Sequence, residues 1–183
     1  NGVCLATGAP IPGSYIKAEA TAGRMSEVLI AVVAEGKKGR AYVAPTTADA
    51  GMGDIDIPWS VSGPVPRHLT GGTCAVYGLD EWSKLFLPRQ QLALTTLSDL
   101  LVDVRRRVEA DAVAAGVPLD GTGLRDGGTG ATARADAIVT YLAFAIDKCA
   151  DYWSSICTWD NTKGETIRNT FGRQAIPMTW DFA

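Results

Sequence analysis

The sequence predicts an α+β fold, with a short N-terminal β-hairpin region followed by a mainly α-helical bundle. The first 80 residues are rich in glycine, proline and β-forming residues, whereas apolar residues beyond them recur at three- and four-residue steps. The chain has 183 residues, 46% of them hydrophobic, which is enough to enclose an apolar core. We therefore divide it into a hairpin and loop region, 1–80, and a helical region, 81–183, and expect one compact unit.

The hairpin is predicted from two β-forming runs around a glycine-containing turn. Residues 26–34 predict a strand, residues 35–40 a turn, and residues 40–44 the return strand. Because neither strand alternates strictly between apolar and polar residues, we expect a short pair that is well buried on one face. Residues 45–78 predict a long loop with one short strand at 54–59.

The helical region contains three predicted helices. The first begins at Pro88, a residue that suits the first helical position, and runs for about 28 residues to Gly116. The second follows the glycines near Gly130, and a third, shorter helix covers 163–171. The second helix is expected to bury one apolar stripe, made of Ile138, Leu142, Ile146, Cys149, Trp153 and Ile156.

Composition and charge exclude several classes of protein. The net charge of −3 excludes the strongly basic balance of a free-standing nucleic-acid binder, so any DNA contact needs a local basic patch. No apolar run approaches the roughly 20 residues of a membrane span, and we expect no membrane partner. His68 is the only histidine, and the sequence contains no nucleophile motif with which it could form a catalytic site. The cysteines form no C-x-x-C pair, which favours a reducing cytoplasm over a disulfide framework.

A glycine-rich loop at 126–133 is the most conspicuous motif. Gly128, Gly130 and Ala133 match the dinucleotide pattern G-x-G-x-x-A, but the preceding stretch is too short and too glycine-rich for a core strand. Three interpretations stay open: a nucleotide or S-adenosylmethionine site, a helix N-terminus that holds a DNA phosphate, and a tight connection between two packed helices. We favour the tight connection.

Basic residues suggest a second kind of contact. Residues 84–107 hold five basic and two acidic side chains, a local net charge of +3, although Arg105–Arg107 point to different sides of a helix. Arg168 and Arg173 flank Phe171, and arginine beside an aromatic ring suits phosphate or base contact.

The N-terminus contains part of a zinc-knuckle pattern. Such a knuckle needs a second cysteine three residues after the first, and Thr7 stands where that thiolate would follow Cys4. A hydroxyl is a poor zinc ligand, so we expect no metal site in this chain.

Five stretches, in sequence order, carry a family resemblance: residues 7–19 (TGAPIPGSYIKAE), 22–25 (AGRM), 88–96 (PRQQLALTT), 126–133 (DGGTGATA) and 169–183 (NTFGRQAIPMTWDFA). Together they resemble the large bacterial adenine-specific DNA methylases that contain a zinc ribbon and are often found in phage-defence loci. The resemblance implies that residues 1–15 are a remnant of the zinc ribbon. It also implies that the S-adenosylmethionine loop lies upstream of this chain and the catalytic D-P-P-Y box downstream.

We therefore expect an excised internal region of an S-adenosylmethionine-dependent adenine-N6 methyltransferase, without catalytic or cofactor-binding residues of its own. Its expected partners are double-stranded DNA and the remainder of the parent chain. The expected DNA contacts are Lys17, Arg24, Arg89, Arg168 and Arg173, with Gly128 and Gly130 approaching a phosphate.

Two other functions stay open at this point. The first is a structural or protein-interaction module of a phage-defence complex without DNA contact, which the net charge of −3 favours. The second is an independent nucleotide-binding enzyme that uses the loop at 126–133. Apolar residues at both ends, including Trp180 and Phe182, also predict self-association unless they pack against the chain's own helices.

Overall fold

A computed structural model describes residues 2–50, 55–67, 73–160, 162, 164–172 and 175–182. It confirms the α+β class, with small antiparallel hairpins and a mostly helical second half. Its strands are β1 (Gly2–Val3), β2 (Pro10–Ile11), β3 (Val32–Gly36), β4 (Gly39–Val43), β5 (Trp159–Asp160) and β6 (Thr166–Ile167). Its α-helices are α1 (Gly13–Thr21), α2 (Thr47–Ala50), α3 (Pro88–Ala114) and α4 (Ala131–Tyr152), and 3-10 turns cover Cys74–Tyr77, Trp82–Leu85 and Leu124–Asp126.

The helices α3 and α4 lie side by side and confirm the two long predicted helices. The Leu87 N–H donates to Gln90 Oε1 at 2.8 Å and so satisfies a backbone donor at the start of α3. The N–H of Ala131, the first residue of α4, donates to the Pro118 carbonyl at 2.9 Å. Further along the pair, Arg105 on α3 forms an ion pair of 2.7 Å with Asp136 on α4.

The prediction of a buried apolar stripe on α4 is wrong. Ile138 and Leu142 are 45% and 39% exposed, and Trp153 and Ile156 lie beyond the end of the helix. The buried part of α4 is instead its beginning, which is made of the small residues Ala131, Thr132, Ala133 and Ala135. Small side chains allow two helix backbones to approach closely, so the facing helix decides which side of α4 is buried.

The apolar core lies where the chain after α4, which we call the C-terminal segment (from residue 153 onwards), meets the two 3-10 turns that precede α3. The buried cluster consists of Val65, Cys74, Ala75, Leu85, Ile156 and Ile176. The Ser155 N–H and hydroxyl both donate to the Leu85 carbonyl, at 2.8 and 2.9 Å. The Cys74 N–H donates to the Ile176 carbonyl at 2.8 Å. These bonds hold the C-terminal segment against the middle of the chain.

The β3–β4 hairpin differs from its prediction in length and burial. Its register pairs Val32 with Val43 and Gly36 with Gly39, so β3 begins six residues later than expected. Val33 and Tyr42 are 43% and 50% exposed, so the hairpin is not well buried on one face. The reason is that it forms a sheet of only two strands, which leaves much of both faces uncovered.

Two further secondary-structure predictions are wrong. Residues 55–59 contain no strand, and Asp54 lies outside the described residues. The predicted helix at 163–171 is replaced by β6, whose Ile167 pairs with Trp159 of β5, while Lys163 lies outside the described residues. Aromatic and β-branched residues favour such cross-strand pairs over a short helix.

Helix α1 was missed, because residues 1–15 were assigned to a zinc-ribbon remnant. It packs on the 3-10 turn at Cys74–Tyr77, where Gly78 has a φ of +83° and a Cβ would lie 2.5 Å from the Ala20 carbonyl oxygen. Only glycine permits both this conformation and this approach. Among the described residues no helix has the length and apolar character needed to cross a bilayer.

Replacing Leu85 tests the position of the core. The Leu85 side chain is 0% exposed, so Leu85→Ala should lower the free energy of unfolding by about 2–5 kcal/mol, through lost burial and the cavity left behind. Urea denaturation followed by circular dichroism measures the change. The matched control is Leu119→Ala at a 62% exposed leucine, which should change stability by about 0.5 kcal/mol or less. Equal losses in the two variants would place the core elsewhere.

Candidate functional site

A cavity of about 430 Å³ opens between the β5–β6 hairpin and the last described part of the chain, residues 175–182. Its lining includes the polar residues Arg168, Asn169, Thr179 and Asp181, together with Trp180. An aromatic residue and an arginine therefore line the same concave surface. Concave sites with few, well-placed polar groups are the usual location of ligand contacts. We call this feature the C-terminal cavity.

The β5–β6 hairpin positions Arg168 at the wall of the C-terminal cavity. The Nε and Nη2 atoms of Arg168 donate to Asp160 Oδ2 at 2.9 and 2.7 Å, and its backbone N–H donates to the Thr158 carbonyl at 2.9 Å. The side chain is still 57% exposed, and no described residue hydrogen-bonds to its Nη1 atom. The guanidinium is thus held in place with donors left for a ligand.

Asp160 is kept ionised by its surroundings. The Thr162 hydroxyl and N–H donate to Asp160 Oδ1 at 2.6 and 2.9 Å. These two hydrogen bonds, followed by those from Arg168, lower the pKa of Asp160 to about 2. Arg168 therefore has a charged partner at every pH above that value.

An aromatic contact connects Lys17 to the same cavity. The Trp180 ring, which is 58% exposed, makes an edge-on contact with Tyr77 at 5.2 Å between ring centroids. The Lys17 Nζ lies 5.5 Å from the centroid of the Tyr77 ring. The structure thus brings two of the predicted contact residues, Lys17 and Arg168, to the surroundings of one cavity, although they are 151 positions apart in the sequence.

A buried polar network lies beside the cavity and fixes its lining segment. The hydroxyls of Ser154 and Thr170 are 2.7 Å apart, and Thr170 Oγ1 donates to the Asp151 carbonyl at 2.8 Å. The Asp151 carboxylate accepts the Phe171 N–H at 3.0 Å and the Asn169 amide at 3.2 Å. Burial raises the pKa of Asp151, but these bonds and Lys148 outweigh it, so that the pKa is lowered. The chain from Asn169 to Phe171 is therefore tied down by a carboxylate.

The other predicted contact residues lie apart from this cavity or face the chain itself. Arg24 donates two hydrogen bonds to Glu19, at 2.6 and 2.8 Å, and it is not among the residues that line the cavity. Arg89 is exposed in the first turn of α3 and forms no ion pair with a described residue. Arg173 lies outside the described residues, as does His68.

The glycine loop is packed against the chain's own backbone. A Cβ at Gly128 would lie 2.0 Å from the Thr122 carbonyl oxygen, and one at Gly130 would lie 2.6 Å from the Pro118 carbonyl oxygen. Glycine is needed at both positions for this close approach. The geometry favours the tight connection between α3 and α4, and a phosphate contact at Gly128 and Gly130 stays a prediction.

Most basic side chains of the described residues are already paired with carboxylates. The ion-paired ones are Arg24, Arg40, Arg67, Lys84, Arg105, Arg106, Arg107, Lys148 and Arg168. The ones without such a pair to a described residue are Lys17, Lys37, Lys38, Arg89, Arg125 and Arg134. Unpaired positive charge is therefore confined to a few places.

The N-terminal turn at Cys4 is closed by backbone hydrogen bonds and contains one thiol. The Cys4 N–H donates to the Ala9 carbonyl at 2.9 Å and the Gly8 N–H donates to the Cys4 carbonyl at 2.8 Å. Hydrogen bonds from the Thr7 side chain and backbone lower the pKa of Cys4. Within the described ranges, no three histidine, cysteine or acidic side chains come together as a metal site.

Sequence reasoning missed Tyr77 and Asp160, the residues that contact Trp180 and Arg168 of the cavity lining. The stretch 160–164 reads Asp-Asn-Thr-Lys-Gly, which is typical of a hairpin turn and contradicts a helix starting at Lys163. That signal could have revealed the partner of Arg168. Nothing in the sequence indicates that Tyr77 meets Trp180, because the two residues come from segments 103 positions apart.

No protein-family model, curated protein or solved structure matches the chain. The resemblance to zinc-ribbon adenine methylases therefore depends on the five motifs alone. The fifth motif, residues 169–183, supplies much of the lining of the C-terminal cavity.

Removing the Asp160 charge should change the acid stability of the protein. Because the folded-state pKa of about 2 lies below the usual value of roughly 3.9, Asp160 stabilises the fold above about pH 4 and loses this contribution as the pH falls towards 2. The free energy of unfolding of Asp160→Asn should therefore fall less than that of the wild type as the pH is lowered from 7 to 2. Urea denaturation midpoints measured across this pH range test the difference. The control is Asp147→Asn, an exposed carboxylate without an ion pair to a described residue. An unchanged pH profile in Asp160→Asn would contradict the assignment.

Proposed function

We propose that the chain is an internal region of an S-adenosylmethionine-dependent DNA adenine-N6 methyltransferase, and that it contacts double-stranded DNA at the C-terminal cavity. The observation that carries this proposal is that Trp180 and Arg168 both line one cavity. A guanidinium held by a carboxylate can donate to a phosphate, and an exposed indole ring can pack on a sugar or base.

The family resemblance supports the proposal and limits what this chain does. It implies that the loop for S-adenosylmethionine and the box that transfers the methyl group belong to the remainder of the parent chain. No residue of this chain is therefore given a catalytic or cofactor-binding role. In this proposal the region acts in the bacterial cytoplasm and positions DNA for chemistry that takes place elsewhere in the parent.

The charge distribution determines how DNA binding should behave. The net charge of −3 repels a polyanion, so attraction has to come from local cations: Arg168 and Lys17 near the cavity, with Arg89 as a further candidate. Two carboxylates, Asp160 beside Arg168 and Asp181 in the cavity lining, weaken this attraction. Each phosphate contact releases counterions, which makes affinity fall with salt at a slope of about −0.9 per contact. Binding by this chain should therefore be weak and clearly salt-dependent.

Duplex DNA titration tests the proposal. Fluorescence anisotropy of a labelled duplex, measured at several salt concentrations, should show binding by the wild-type chain. Arg168→Ala should reduce the salt slope by about 0.9, because one phosphate contact is lost. Trp180→Ala should weaken binding by about 1 kcal/mol, roughly fivefold, with the slope unchanged, because an uncharged contact is lost.

The matched control for this titration is Arg107→Ala, which removes one positive charge from an exposed arginine of α3. It should leave the salt slope as in the wild type. A loss of slope in Arg107→Ala equal to that in Arg168→Ala would mean that net charge, not the cavity, determines binding. No salt-dependent binding by the wild-type chain would overturn the proposal.

The alternative function is a structural or protein-interaction module of a phage-defence complex. The observation that favours it is the apolar outer face of α4, where Tyr141 and Phe144 are 76% and 61% exposed and touch edge-on at 6.4 Å. Under this alternative the wild-type chain shows no salt-dependent affinity for DNA. Its sedimentation coefficient then rises with concentration, as apolar side chains of two copies cover one another.

A further inference from the structure

The tip of the β3–β4 hairpin carries two lysines that the proposed function has not used. Lys37 and Lys38 form the turn between the strands, and both are exposed. Neither forms an ion pair or ring contact with a described residue, although most basic side chains of the described residues do. The hairpin is a two-stranded sheet of its own, so this tip is the end of a narrow ribbon.

The ribbon is fixed to the β5–β6 hairpin by contacts that begin next to its tip. The Arg40 guanidinium donates to the carbonyls of Gly164, at 3.0 Å, and Glu165, and its Nη1 lies 3.6 Å from the Glu165 carboxylate. It also lies 5.5 Å from the centroid of the Trp159 ring. A guanidinium that lies over an indole ring and donates to two carbonyls can adopt few orientations. Arg40 therefore fixes the position of the hairpin next to its tip.

A second contact on the same strand strengthens this attachment. The Tyr42 hydroxyl donates to Glu165 Oε1 at 3.0 Å and accepts a hydrogen bond from Trp159 Nε1 at 3.2 Å. Arg40 and Tyr42 therefore share two partners, Trp159 and Glu165. We call these four residues the hairpin clamp.

The hairpin clamp connects the lysine tip to the wall of the C-terminal cavity. Glu165 directly precedes β6, and Arg168 directly follows it. Trp159 lies in β5 beside Asp160, the residue that holds Arg168. Thus one small sheet fixes the position of the tip lysines and of the arginine at the cavity. Two cationic points in a fixed relation to each other suit a ligand with repeated negative charges.

We propose that Lys37 and Lys38 are a second phosphate-contact point for the DNA that lies at the C-terminal cavity, an inference that rests on the proposed function. A two-stranded ribbon is narrow enough to enter the major groove, and lysine contacts phosphate as a point charge with rotatable donors. Because Glu35 and Glu165 lie near Arg40, the local net charge is small. The tip therefore contributes two short-range contacts rather than a long-range field.

A double variant at the tip tests this inference on the full chain. Lys37→Ala combined with Lys38→Ala should reduce the salt slope of duplex binding by about 1.8, since two phosphate contacts are lost. Both side chains are exposed, so the thermal unfolding midpoint should be unchanged. The matched control is Arg106→Ala combined with Arg107→Ala, which removes two positive charges from the exposed side of α3 and should keep the wild-type slope.

The possible results separate this inference from the proposed function. If the wild-type chain binds DNA and the tip variant keeps its slope, or if the α3 control loses as much slope, the tip assignment is wrong while the cavity proposal stands. If the wild-type chain shows no salt-dependent binding, both fail together. Poly-glutamate is the second probe: if it binds with the same dependence on Lys37 and Lys38, the tip serves an acidic polypeptide, and the assignment to DNA is overturned.

Discussion

The double hydrogen bond from Ser155 to the Leu85 carbonyl is the constraint on which the rest of the structure depends. It joins the chain just after α4 to the chain just before α3, so it closes the helix pair at one end. Both residues are buried, and an unsatisfied carbonyl in such a place would cost about 1–3 kcal/mol. Once this link is made, Ile156 enters the core and the following segment is directed back over the 3-10 turns, where it forms the C-terminal cavity.

Electrostatics decides which parts of this surface can bind an anion. The chain is acidic overall, and its arginines are largely used for internal links such as Arg105 to Asp136 and Arg24 to Glu19. Arg168 is also held by a carboxylate, and its side chain is 57% exposed against 60% for Arg24, so what distinguishes it is its place in the lining of the C-terminal cavity. A fixed, partly solvated guanidinium loses little conformational entropy when a phosphate arrives, whereas a free surface lysine loses more.

The sequence predicted those features that short-range signals determine. Pro88 and the glycines at 116 and 130 mark the limits of α3 and α4, because proline and glycine act through backbone conformation alone. The prediction of which α4 residues are buried was wrong, because packing against α3 determines their burial and no local pattern in the sequence indicates it. At the site, Arg168 and Lys17 were predicted as contact residues. What brings Lys17 near the cavity is the contact between Tyr77 and Trp180, and a ring contact between residues so far apart in the chain leaves no local signal in the sequence.

The fifth motif of the resemblance contains residues of two kinds, and only one kind bears on the proposed DNA contact. Asn169 and Thr170 bond to Asp151, Ile176 belongs to the core, and the Thr179 hydroxyl donates to the Ile156 carbonyl at 3.0 Å. These residues hold the fold of this chain together, whether or not the chain binds DNA. Trp180 is not buried in this way, because the residue is 58% exposed even though its ring makes an edge-to-face contact with Tyr77. An exposed indole costs hydration free energy unless a ligand covers it, so this residue, rather than the motif as a whole, argues for a contact surface.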